Sequence, residues 1–322
     1  MDRLLRNFAK RCIAATLLLT AGCHHPMTAP IQVWAPPRLQ SAVGQVVAVS
    51  PVSGDQRIAG PLHAAMLANA PLDEGRTLQC RDSLSLQSNQ TIRLVSAVEG
   101  ETSDIAILSM ARRQGIDYLL TGEIVRQPSI ERNAIHRASQ QSIEPDPPLT
   151  IGKNGSLAVS WKLIDVHGKR PDAGVPVVTK YGESVDVQGV ASAAASDAWK
   201  LITPYVQADS VKLATPRFST FSREIRRGNM AATSGDWMTA QDEWTGVLQA
   251  DSSHHAAMHN LAIAAVARQD YDDANRLIGE ALKLRNKAMY RETAVWIESR
   301  QRDYHQAFGL PDPASGWHAT RH

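Results

Sequence analysis

Gly235-Asp236-Trp237-Met238-Thr239-Ala240 and Gln269-Asp270-Tyr271-Asp272-Asp273-Ala274 stand 34 residues apart in a chain of 322. The match extends at the same offset through Trp244/Ile278, Val247/Ala281 and Leu248/Leu282, and backward through the small pairs Gly228/Ala262 and Ala231/Ala265. Apolar residues on either side recur at helical spacing, so each copy reads as two helices joined by a short turn at the Gly-Asp or Gln-Asp step. A third, partial copy, Asp303-Tyr304-x-x-Ala307, follows 33 residues after the second. Two repeats and a fragment are fewer than the three or so that stand alone. The array is therefore expected to lean on a further helix over 288–302, on the rest of the chain or on a partner. Trp237, Trp244 and Trp296 are expected to be core.

The period, the Asp-aromatic turn and the small residues at close helix contacts resemble tetratricopeptide (TPR) repeats. Ser252 in the first copy, and Asn286 or a neighbour in the second, stand where that family usually places a proline near each repeat end. The resemblance implies that the first helix of each repeat lines a concave groove for peptide segments. The groove positions it indicates are Arg226, Asn229, His259 and Asn260, polar groups able to hydrogen-bond an extended backbone.

Upstream of a linker at 207–220 the pattern changes to alternating strands and helices over 44–206. Val46-Val47-Ala48-Val49 reads as a buried strand and 57–70 as a helix, with Pro61 tolerable only in its first turn. One or two strands are expected in 75–96, with Ile92-Arg93-Leu94-Val95 the clearer. A helix capped at Ser103-Asp104 ends at Gly115, and Tyr118 to Val125 is a strand. Leu157, Val159, Trp161 and Leu163 alternate with Ala158, Ser160, Lys162 and Ile164, so one face of that strand meets a core. It is expected to pair antiparallel with 177–187, and a helix over 190–206 closes the domain. The order β-α-β-α-β-β-β-α implies a mixed sheet with packed helices. Segment 127–154 lacks periodicity and holds Pro128, Pro145, Pro147 and Pro148, so it reads as a long loop that is either a contact loop or disordered.

Asp104 to Ile124 carries a helix, a glycine and then Asp117-Tyr118-Leu119-Leu120-Thr121-Gly122-Glu123-Ile124. This resembles the helix-then-strand segment of CsgG-like (curli-assembly-type) envelope lipoproteins. The Val46 strand and Trp161-Lys162-Leu163-Ile164-Asp165-Val166 fall where that family would put them. The resemblance implies a non-enzymatic, membrane-tethered α/β module used in envelope assembly. Some relatives form secretion pores through membrane-crossing hairpins; the proline-rich loop here is too polar for one.

At the N-terminus Arg3, Arg6, Lys10 and Arg11 precede the apolar run 13–19 and then Thr20-Ala21-Gly22-Cys23. Basic, apolar and small-residue regions in this order are those of an export signal. Small residues before the cysteine resemble a bacterial lipobox, with Thr20 at the usual leucine position. By that resemblance Cys23 is the lipid attachment site, carrying palmitate-type chains. Each buried methylene adds about 0.8 kcal/mol, so two or three chains hold a folded domain on a membrane. His24 follows rather than Asp, which points by the same analogy to the outer membrane facing the periplasm. Pro26, Pro30, Pro36 and Pro37 make 23–43 an extended tether.

Overall charge is +2, and removing the leader's +3 leaves −1, which gives no global attraction to nucleic acid. Three cysteines, one of them in the leader, exclude a disulfide scaffold. No G-x-S-x-G elbow or phosphate-binding loop occurs, and Gly152-Lys153-Asn154-Gly155 is a turn. Cys80 lies near Arg76 and Arg81 without a histidine base, so a buried or idle thiol is expected. His24 and His25 lack further ligands. His255 and His259 have i, i+4 spacing but no H-E-x-x-H glutamate. No catalytic residue, metal or cofactor is expected. A hydrolase would need clustered carboxylates or histidines that assemble only in three dimensions.

The expected plan is α/β plus all-α: signal peptide 1–22, tether 23–43, CsgG-like domain 44–206, linker 207–220, TPR-like repeats 221–308 and a flexible tail 309–322. The expected function is an envelope lipoprotein that binds envelope proteins through the groove. The alternative is a homo-oligomeric structural or secretion-associated component.

Overall fold

The computed structural model describes residues 27–42, 44–71, 78–82, 104–128, 130–131, 150–151, 155–168, 174–182, 186–216, 219–313 and 316–317. The leader, Cys12, Cys23, His24, His25, Arg76 and the Ile92–Val95 stretch lie outside them. The chain divides into two compact units. In described residues, a sheet unit comprises 34–207 with 300–317, and a helical unit comprises 208–299 with 27–33.

In the sheet unit β2 (Gln45–Val49) lies parallel to β3 (Leu78–Asp82) and to β4 (Tyr118–Arg126). β7 (Gly155–Asp165) and β8 (Val175–Tyr181) then add antiparallel, for the order β3-β2-β4-β7-β8. The expected hairpin is present, with Val159 opposite Val177 and Gly155 opposite Tyr181. Helices α1 (Gln56–Ala68) and α3 (Val187–Trp199) supply one core. In it Ile58, Leu62, Met66, Ala191, Ala195 and Trp199 meet Val47, Val49, Leu120, Leu157, Trp161 and Leu163. A smaller core gathers Ala48, Leu119 and Val166 with Ala111 of α2 (Asp104–Arg113) and Ile116 beyond it. Alternate residues of β2 thus serve two cores, as strand geometry requires. Gly122 sits opposite Trp161, and a Cβ at Gly122 would come within 2.6 Å of the indole. The ring covers the glycine and fills the space a side chain would take.

α2 ends as read, in a Schellman turn: Ile116 N–H bonds Ala111 O (3.1 Å), Gly115 N–H bonds Arg112 O (3.2 Å), and Gly115 has φ +68°. Other readings need correction. Pro61 stands sixth in α1, past the first turn, and the helix continues through it. A strand in 75–96 is present at Leu78–Asp82. Cys80 pairs with Val47 there. Helix α3 ends at Trp199, not near 206, because Pro204 cannot donate to a helical ladder. The next residues form β9 (Tyr205–Lys212), which takes up half of the segment read as linker.

β9 pairs with β1 (Thr28–Ala35), which lies in the segment read as an extended tether. Its prolines concealed a period-two pattern in which Ala29, Ile31, Val33 and Ala35 are buried and Pro30 is exposed. In the loop 127–154, β5 (Ile130–Glu131) and β6 (Thr150–Ile151) pair antiparallel. The described part of the tail folds back. Gly309 turns the chain with φ +60°, and Trp317 lies 5.5 Å from the His305 ring and 5.1 Å from the Arg302 guanidinium.

The helical unit holds α4 (Ser222–Thr233), α5 (Trp237–Ala250), α6 (His255–Ala267), α7 (Tyr271–Leu284) and the start of α8 (Ala288–Phe308). The 34-residue offset recurs in its hydrogen bonds. Asp236 N–H bonds Ala231 O (3.0 Å) and Asp270 N–H bonds Ala265 O (2.9 Å). Gly235 N–H bonds Ala232 O, and Gln269 N–H bonds Val266 O. Both turns are Schellman motifs, with φ +83° at Gly235 and +65° at Gln269. Asp236 and Asp270 then cap the next helix by accepting from Thr239 N–H (3.0 Å) and Asp273 N–H (3.1 Å).

The partial third copy behaves differently. Asp303 and Tyr304 lie inside continuous α8, because no residue with positive φ interrupts the helix before them. α6 is buried on nearly every side, from Ala256 to Val266, so it is the central helix of the unit. Trp244 is fully buried against Gly228, while Trp237 and Trp296 are half-buried.

Candidate peptide-binding site

Asn229 projects from α4 and Asn260 from α6, the first helices of the two hairpins. Both are completely buried, as is His259 beside them. A buried primary amide loses more than it gains unless its donors and acceptors are matched. Here they are matched by main chain. Asn260 Oδ1 accepts from Ala214 N–H at 2.8 Å, and Asn260 Nδ2 donates to Ala214 O at 3.1 Å. Asn229 Nδ2 donates to the same carbonyl at 3.1 Å and to Thr215 Oγ1 at 3.0 Å. The two side chains are joined by Asn260 Nδ2 donating to Asn229 Oδ1 at 2.8 Å.

His259 completes the set. The amide oxygen of Asn260 can only accept, so His259 Nδ1, 3.0 Å away, carries a proton and donates. Asn260 thereby uses both lone pairs and both hydrogens. His259 Nε2 lies 2.9 Å from the Thr293 hydroxyl of α8, which is itself 3.0 Å from Met289 O. The ring stacks on Tyr290 at 4.6 Å. Burial pushes the His259 pKa down to about 4. Burial, helped by the Lys287 charge, does the same for His255, also to about 4. Tyr290 OH lies 2.7 Å from His255 Nδ1, and burial raises the Tyr290 pKa. His254 caps α6 by accepting from Ala257 N–H. Neutral imidazoles are the working forms around neutral pH.

Of the four groove residues indicated by the sequence, the structure brings Asn229, His259 and Asn260 into one network and leaves Arg226 exposed on α4. Asn229 and Asn260 do hydrogen-bond a main chain, and that main chain is the chain's own, at Ala214. Sequence reasoning missed Ala214, Thr215 and Thr293, because an alanine and two threonines carry no motif. One faint signal was the pair of apolar residues Leu213 and Ala214 in a segment read as linker. His255 and His259 do not converge on a common point: each has its own partner, and no group of three metal-ligating side chains occurs among the described residues. An open cleft of about 420 Å³ lies between α4 and α5, lined by Glu224, Arg227, Asp242 and Glu243, and Arg227 pairs with Glu243 at 2.8 Å. Among the described residues no helix is long and apolar enough to cross a membrane.

No family model and no curated protein matches the chain. Among solved structures, the PelC dodecamer from Paraburkholderia phytofirmans aligns at 12% identity over 55% of this chain and 99% of its own, with a TM-score of 0.28. Lipoprotein GNA1162 from Neisseria meningitidis aligns at 11% identity over 43% of this chain and 84% of its own, with a TM-score of 0.25. TolB from Acinetobacter baumannii aligns at 13% identity over 53% of this chain and 31% of its own, with a TM-score of 0.21. Scores this low do not establish a shared fold.

Proposed function

We propose that this chain is a lipid-anchored, non-enzymatic envelope protein whose helical unit binds extended protein segments. The α/β unit is assigned to the CsgG-like class and the helical unit to a short TPR-like array. Cys23 is the acylated residue, at the outer membrane facing the periplasm. The observation that carries this reading is the 34-residue repeat of whole turns. The same Schellman bonds and the same aspartate cap recur at Gly235-Asp236 and Gln269-Asp270. Stacked hairpins of this kind present the faces of their first helices as a concave surface suited to peptide backbone. The leader's charge and small-residue pattern supports export and anchoring.

In-cell crosslinking of a tagged full-length chain, followed by membrane extraction and mass analysis, tests the reading. A discrete foreign envelope protein, lost when the segment after Thr220 is deleted but retained with a deletion confined to the tail 309–322, is the expected result. Cys23→Ala should move the chain out of the membrane fraction. A ladder made only of multiples of this chain's own mass would replace the adaptor with a homo-oligomeric assembly.

A further inference from the structure

The asparagine pair grips one residue of the chain's own backbone completely. Both main-chain polar groups of Ala214 are satisfied by side chains: its N–H by Asn260 Oδ1, its carbonyl by Asn229 Nδ2 and Asn260 Nδ2. Neither asparagine reads a feature specific to alanine. What they read is a peptide unit, followed by a hydroxyl one residue later at Thr215 Oγ1. Leu213 and Ala214 are each 2% exposed, so the site admits an apolar residue and then a small one. Pro216 biases Thr215 toward extended backbone, which presents the segment ready-shaped. A site that recognises main chain and excludes bulk has the properties of a peptide-binding site, and in this structure its occupant is covalently attached.

We propose that Asn229 and Asn260 form a peptide-reading site whose resident ligand is Leu213–Thr215, and that an extended partner segment of the same form, apolar then small then hydroxyl, binds by displacing it. The proposal rests on the helical unit being a peptide-binding array and adds the ligand's chemistry and the state of the free site. Because the resident segment is intramolecular, it competes at high effective concentration. A free partner segment is therefore bound weakly until the strap is loosened. The strap acts as a threshold: weak, nonspecific peptides fail to enter, and a partner held nearby by other contacts succeeds.

The test uses the full chain and a dye-labelled synthetic peptide, Val-Lys-Leu-Ala-Thr-Pro, the sequence of 211–216. Ala214→Leu puts bulk where the site has no room and should release the strap. The expected result is that this variant binds the peptide at least about tenfold more tightly than the native chain does. Adding Asn260→Ala should abolish the gain, and a peptide with leucine at the alanine position should not bind. A folded Ala214→Leu chain, with native helix content by circular dichroism, that binds the peptide no better than native overturns the proposal. Should Ala214→Leu not fold, hydrogen exchange on the native chain decides. Exchange of the Ala214 amide at least about 100-fold faster than the amides of α6 shows a strap that opens on its own. Exchange in step with α6 means a fixed structural contact and overturns the proposal. Neither measurement needs an envelope partner, so failure here is separable from failure of the crosslinking experiment.

Discussion

Asn229, His259 and Asn260 are as deeply buried in the helical unit as Leu120, Leu157 and Trp161 are in the sheet unit. In the sheet unit burial removes hydrocarbon from water, and geometry is set by shape: strand register, a glycine under an indole, helices over alternate residues. Its deeply placed polar atoms Trp161 Nε1 and Tyr181 OH have no hydrogen-bond partner among the described residues, so no polar pairing holds those two groups in place. In the helical unit the buried amides are bonded almost to capacity, to the main chain of Ala214, to Thr215 Oγ1, to His259 and to each other. The geometry of the sheet unit's core is set chiefly by volume and shape. The helical unit has one place where matched polar partners set it as well.

That contrast can be broken in four ways. The largest effect expected is from Trp161→Ala in the sheet unit, a loss of about 3–5 kcal/mol from cavity formation, measured by chemical denaturation. Loss of less than about 1 kcal/mol would mean that the indole is not the keystone of that core.

Acidification should act on the helical unit. His259 titrates near 4 when folded and near its ordinary 6.5 when unfolded, so between these values the unfolded chain binds more protons. The contribution is fully present above pH 6.5, declines as pH falls to about 4, and is on the order of 3 kcal/mol across that window. Denaturation of the full chain at several pH values, followed by exchange of α6 amides, measures it. His259→Gln, which can still donate to Asn260, should reduce the dependence and leave the share of His255, whose pKa is also pushed down to about 4.

Asn260→Ala leaves Ala214 N–H, His259 Nδ1–H and Asn229 Oδ1 unpaired in the interior, for a loss of about 2–3 kcal/mol. If Asn260→Leu, of similar volume, is as stable as the native chain, the amide is needed for recognition and not for stability. The smallest effect distinguishes the two turns. Gln269→Gly should stabilise by about 1 kcal/mol, because glycine occupies φ > 0 without a Cβ penalty, and Gly235→Ala should cost a similar amount. Changes of clearly unequal size at the two positions would mean that the turns are not equivalent copies.

Much of the architecture was legible from residue pattern. Gly115 marked its helix end because the left-handed position favours a residue without Cβ. Leu157, Val159, Trp161 and Leu163 announced a half-buried strand because successive side chains alternate. The 34-residue offset could be read because each copy must build the same turn. The misreadings share a cause. Prolines at 26, 30, 36 and 37 suggest a spacer, although a strand accommodates a proline such as Pro30 on its exposed side. Asp303-Tyr304-x-x-Ala307 matches the repeat in sequence but lacks the preceding positive-φ position that makes the turn.

For the site, sequence alone picked out Asn229, His259 and Asn260, because a repeat frame says which helix positions share a face. It could not say what faces them. Local pattern reports the periodicity of an element and the turns that end it, and these are properties of neighbours in the chain. Ala214 lies 46 residues from Asn260 and 15 from Asn229. Only folding brings that backbone against those amides, and so only tertiary structure decided that they are bonded to the chain itself.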